Sequence, residues 1–153
     1  MMLMSARQVE VEAIMARLLA LKEKSPAGWM KMTDPVVAER SLRAMIDKGE
    51  AYMVAGFLIL AYEGTTWYSD EPILFEELIL KVYDSCENVT VAVEALEYLA
   101  RSKGCKWVVA GDTQIGYMLP FYKGAGYEAV GTQLAKEVHH RPDSEIDGGG
   151  RPD

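Results

Sequence analysis

The stretch CKWVVAGDTQIGYMLPFYKGAGYE, residues 105 to 128, decides how the chain is read. It opens on an apolar run, Trp107 to Ala110, whose β-formers predict a buried strand over 105–110. A Gly-Asp-Thr turn follows, so Asp112 and Thr113 stand at the end of that strand. IGYMLPFYKGAG then reads as a short helix broken or started around Pro120 and ended by Gly124 or Gly126. Beyond it, YEAVG and TQLAKEV predict a final antiparallel pair bent at Gly131.

Upstream, Val89, Ala92, Val93, Leu96, Leu99 and Ala100 recur at helical spacing from Asn88 to Ser102, with Gly104 just past the end. ILFEELILKVYD before it is strand-like. Simple alternation puts Phe75, Glu77, Ile79, Lys81 and Tyr83 on one face. Leu74, Glu76, Leu78, Leu80 and Val82 take the other, which is the expected core side. AYMVAGFLILAYEG is rich in β-formers and interrupted at Gly56, predicting two short strands or one bent pair. Two helices come first. Residues 6–23 carry Val9, Ile14, Leu18, Leu19 and Leu21 as an apolar stripe. TDPVVAERSLRAMIDKGE supplies Asp34 as N-cap, Pro35 at the first helical position and Gly49 as stop. This order predicts an α/β (α+β layered) fold, a mixed sheet flanked by helices, as a single domain over 1–138. Residues 139–153 form a polar tail rich in Gly and Pro.

The 153 residues are enough for a sizeable core, and half of them are apolar. A formal net charge of −7 argues against nucleic acid, whose phosphates demand clustered Lys and Arg. No apolar run is long enough to span a bilayer, so no membrane partner is expected. Cys86 and Cys105 make no disulfide framework, so a reducing cytoplasm is the expected compartment. His139 and His140 lie side by side in the tail and no zinc spacing occurs, so no metal is expected.

VEALEYLARSKGCKWVVAG followed by PFYKGAGYEAVG resembles the second half of a GNAT (N-acetyltransferase) domain. The similarity runs in element order over residues 51–138, and the helical pair before it suits the family's first two helices. A first strand is missing unless Met1 to Met4 provide it. WYSDEPILFEELILKVYD and GDTQIG are further similar to small GNAT-like proteins of tailed bacteriophages, which implies host cytoplasm or virion as the location. The resemblance implies a wedge between parallel strands 73–83 and 105–110 that would hold acetyl-CoA for transfer to an amine. It puts Tyr122 at the family's proton-donor position and the backbone N–H groups near Leu80, Lys81 and Val82 at the oxyanion site.

Glu76 and Glu77 are the base candidates, because a carboxylate in an apolar strand is costly without a purpose or partner. Each has a plain alternative: an ion pair with Lys81 or Lys106, or exposure of the Glu77 face. Tyr122 likewise is either the acid or an aromatic packed under the last strands. The family's pyrophosphate loop maps onto Ser85 to Ala92, including Asn88, Val89 and Thr90. Ser85 replaces a basic or amide residue, Asn88 and Thr90 replace glycines, and Asp84 and Glu87 add negative charge. Ser85 or Asn88 could instead cap the helix with no ligand. Two functions follow, an acetyl-CoA-dependent N-acetyltransferase or a catalytically silent GNAT-fold binding or structural protein, such as a virion component. In the second, the tail and the aromatic set Trp67, Tyr68, Trp29 and Met30 would meet a protein partner.

Overall fold

A computed structural model describes residues 2–24, 32–85, 87–111, 117–131 and 134–139. Strand β1 (Leu3–Ser5) leads through a short 3₁₀ turn (Gln8–Glu10) into α1 (Val11–Lys24) and α2 (Pro35–Asp47). A meander follows, β2 (Ala51–Val54), β3 (Phe57–Gly64) and β4 (Ile73–Lys81). Then come α3 (Thr90–Ser102), β5 (Trp107–Val109) and α4 (Leu119–Gly124). The sheet runs β1-β2-β3-β4-β5, antiparallel except for the parallel pair β4 and β5. Helix α3 makes the crossover between that pair. The missing first strand is therefore β1, paired with β2.

Local chemistry explains the punctuation. Asp34 accepts hydrogen bonds from the Val36 and Val37 amides at 2.9 and 3.4 Å, and Pro35 opens α2. β2 and β3 turn at Ala55 and Gly56, both at positive φ (48° and 82°), the twist a two-residue hairpin needs. α1 starts later than its apolar period predicts. Val9 falls in the 3₁₀ turn and is exposed, while Val11, Ile14 and Met15 face the core.

Helices pack on both faces of the sheet. α1 and α2 pack on Ala51, Leu58, Leu80 and Val82. α3 and α4 pack on Val54, Phe57, Ile59, Ala61, Leu74 and Ile79. Burying each such aliphatic side chain contributes about 1.5–3 kcal/mol, so strands with two covered faces read as nearly continuous apolar runs.

Simple alternation fails in β4. Leu60 pairs with Leu78 but Ala61 pairs with Glu76, so Glu77 is an extra residue, a β-bulge. Leu74 and Glu76 share the α3 side, and beyond the bulge that side passes to Ile79. Leu78 and Leu80 turn toward α1 and α2. The set Leu74, Glu76, Leu78, Leu80 and Val82 is thus not one face.

Two further expectations are corrected. β5 is not a buried strand, since Trp107 is 63 % and Val109 41 % exposed. No strand forms over the described parts of 127–138, where Val130, Leu134 and Val138 are exposed. A hairpin there would have to template on β5, whose ladder is only three residues long, and a lone pair of strands is marginal in water.

Candidate functional site

The site is built around the end of a ladder. β4 and β5 pair at Ile73–Trp107, Leu74–Val108 and Phe75–Val109, and the ladder stops there although β4 runs on to Lys81. The parallel strands are adjacent, and the ladder ends where β5 itself ends, at Val109. Just beyond that end the Glu76 Oε2 accepts a hydrogen bond from the Gly111 amide at 3.1 Å. Glu76 is half-buried on the α3 side, whereas the bulge exposes Glu77. Burial first, and then the adjacent Glu77 carboxylate, raise the pKa of the Tyr62 phenol.

Two tyrosines from the α4 region approach this point. Tyr122 lies on α4, 4 % exposed, with its hydroxyl oxygen inside the protein. Its ring meets that of Tyr127 with centroids 5.0 Å apart. The Tyr127 hydroxyl is also buried and has no hydrogen-bond partner among the described residues. Burial, with Glu97 and Glu76 nearby, pushes its pKa up to about 12. Such a phenol stays protonated and offers a donor that no other described residue uses.

At the start of α3 the backbone is already engaged. Asn88 Oδ1 accepts from the Thr90 amide at 2.8 Å, and Val89 already has helical dihedrals, so Asn88 acts as the cap. The Val91 amide reaches the Asn88 carbonyl, and those of Ala92 and Val93 reach the Val89 carbonyl. Ser85 Oγ accepts from the Glu87 amide at 3.1 Å. A groove of about 420 Å³ runs between α3 and α4, lined by Thr90, Val93, Glu94, Glu97, Pro120 and Phe121. Leu80 and Val82 turn into the α1 side. The Val82 and Tyr83 amides donate to the Gly56 carbonyl at 2.9 and 3.1 Å, and Lys81 is exposed. Asp112, Thr113, Trp29 and Met30 lie outside the described residues.

No family model matches the chain, and no curated protein matches it in sequence. Solved structures do match in shape. A probable acetyltransferase superposes over 92 % of this chain and 100 % of its own, with a TM-score of 0.64 at 11 % identity. The fold is that of the GNAT acetyltransferases. A Trypanosoma brucei acetyltransferase covers 90 % of this chain and 99 % of its own, with a TM-score of 0.56 at 16 % identity. A transcriptional regulator from Bacillus halodurans C-125, over the same shares, reaches 0.64 at 14 % identity. Identities this low make the likeness one of GNAT fold, which can host more than one function.

The GNAT fold brings Glu76, Glu77 and the Tyr122–Tyr127 pair toward the end of the β4–β5 ladder, and it sets Asn88, Val89 and Thr90 at the start of α3, with Ser85 shortly before. Sequence reading missed Tyr127, Glu94 and Glu97. It also missed Arg17, whose guanidinium reaches the Val82 carbonyl at 3.1 Å and Asp84 at 3.5 Å. Glu94 and Glu97 fall one helical turn apart, a detectable signal only once α4 is known to pack beside them. Arg17 gave none, because it lies 65 residues from its acceptor. Among the described residues no group of His, Cys, Asp and Glu converges as a metal site, and no helix is long and apolar enough to cross a membrane.

Proposed function

We propose that the chain is an acyl-CoA-dependent N-acetyltransferase acting on an amine. The observation that carries this reading is the early end of the parallel ladder at Phe75 and Val109, with β4 continuing to Lys81. A thioester arm needs such a wedge, lined by main-chain groups. The buried Tyr127 hydroxyl, without a partner among the described residues, suits the arm, because it requires an acceptor oxygen and the carbonyls of a pantetheine chain are acceptors. The groove between α3 and α4 would take the rest.

Acetyl-CoA supplies an activated acyl carbon. Glu77, or Glu76, removes the proton that an ammonium must lose before its nitrogen can form the new bond to carbon. The Val82 amide is bonded to Gly56, and the two-residue period turns the Leu80 amide toward β3 as well, so oxyanion donation would fall to the Lys81 amide, which faces the β5 side. Tyr122, with Tyr127 packed against it, would supply the proton for a departing thiolate. Ser85, Asn88, Val89 and Thr90 would meet the pyrophosphate.

One observation favours a second reading, that of a silent GNAT-fold binding protein or a structural part of a virion. The Asn88 cap occupies a backbone donor that a pyrophosphate would use, and Glu94 and Glu97 make the adjoining groove acidic. Calorimetric titration of the full chain with acetyl-CoA separates the two. Saturable micromolar binding is expected; no binding at millimolar concentration leaves only the silent protein.

A further inference from the structure

The sheet face opposite Glu76 carries a strip that the packing of α1 and α2 does not explain. Tyr62 pairs with Phe75 across β3 and β4, and their rings stack with centroids 5.5 Å apart. On β5, Trp107 pairs with Ile73 and Val109 with Phe75. The two-residue period puts Tyr62, Ile73, Phe75, Trp107 and Val109 on one face. Further along, the same face is covered at Leu58 and Leu80 by α1 and α2. At this end it is only partly covered: Trp107 and Val109 are exposed, Tyr62 and Phe75 are half-buried, and Ile73 between them is buried.

The bulge completes the strip. It leaves Glu77 an exposed carboxylate two residues along β4 from Phe75, the partner of Tyr62, and a hydrogen-bond partner of the Tyr62 phenol, whose pKa is raised by burial first and then by Glu77. None of the five strip positions is Lys or Arg. Ring faces carry negative potential and attract cations, and a carboxylate beside them adds charge and a hydrogen-bond acceptor. An anion would be repelled by the same set.

The geometry points to a binding site for an organic ammonium, a primary amine carrying a flat apolar group, held by the Glu77 carboxylate and the faces of Tyr62, Phe75 and Trp107. The strip adjoins the end of the β4–β5 ladder, so it would seat the acceptor amine. That role rests on the acyltransferase reading, while the binding itself does not.

Phenethylamine titrated calorimetrically into the full chain, with no thioester present, tests the site. Saturable binding is expected. Glu77→Gln, which keeps the size of an exposed side chain, should weaken it about tenfold, and Trp107→Leu should weaken it about threefold. Phenylacetate, of the same shape but opposite charge, should not bind. Equal binding of phenylacetate, unchanged affinity in Glu77→Gln, or no saturable heat with phenethylamine each overturns the site. Acetyl-CoA binding without amine binding overturns this inference alone. Amine binding without acetyl-CoA binding keeps the site and overturns the acyltransferase.

Discussion

Glu76 holds Gly111 just beyond the end of the β4–β5 ladder, its Oε2 accepting the Gly111 amide at 3.1 Å. The ladder has just ended at Phe75 and Val109, so a side chain replaces the next backbone pairing. A carboxylate suits this position because its oxygen accepts from a fixed backbone N–H. Glu76→Ala should therefore destabilise the protein by roughly 1 kcal/mol, the scale of a partly exposed charged hydrogen bond. Glu76→Gln, which keeps an acceptor, should cost less. Urea unfolding measures both, and an unchanged midpoint for Glu76→Ala would show that the bond does not tie the strands.

The Tyr127 phenol predicts an alkaline limb in stability. Its pKa is raised from 10.0 to about 12 in the folded chain. Above the ordinary value the unfolded chain loses this proton while the folded chain keeps it. The contribution is complete below the unfolded pKa and is lost as pH rises through the folded one. Thermal unfolding between those two values should show a falling midpoint, and Tyr127→Phe should flatten the fall. At neutral pH the same substitution removes a buried hydroxyl with no partner among the described residues, so it should be neutral or mildly stabilising. A marked loss of stability at neutral pH would mean that the hydroxyl is bonded after all.

Asn88 offers a test that couples stability to ligand binding. Its side chain caps α3 at the Thr90 amide. Asn88→Ala should cost about 1 kcal/mol, and Asn88→Gly only a few tenths. The glycine also releases the Thr90 amide toward any phosphate. Under the acyltransferase reading, Asn88→Gly should tighten acetyl-CoA binding in calorimetry. Weaker binding would assign Asn88 to the ligand rather than to the helix.

Gly56 is fixed by two constraints at once. Its φ is +82°, and a Cβ placed there would lie 2.7 Å from the Tyr83 carbonyl oxygen. Its own carbonyl accepts from Val82 and Tyr83, binding the hairpin to the end of β4. Gly56→Ala should destabilise by more than about 1 kcal/mol, combining the left-handed penalty with displaced backbone. A variant as stable as the parent in urea would show that the hairpin can shift away from Tyr83 at little cost.

The amino-acid order by itself determined the elements whose causes are local. Asp34 and Pro35 start α2, Gly49 and Gly104 end α2 and α3 at positive φ, and Ala55-Gly56 turns β2 into β3. Caps and turns depend on backbone chemistry within a few residues, so they can be read in line. The parallel adjacency of β4 and β5 was legible at one remove, through the crossover helix and the family resemblance. Tertiary structure alone decided the bulge at Glu77, because an extra residue in one strand exists only relative to its partner, and that bulge sets which side of the sheet Leu74, Ile79 and Leu80 occupy. It also decided that Arg17 meets Asp84 and that the Tyr127 hydroxyl is enclosed, since both depend on chain segments brought together only by packing.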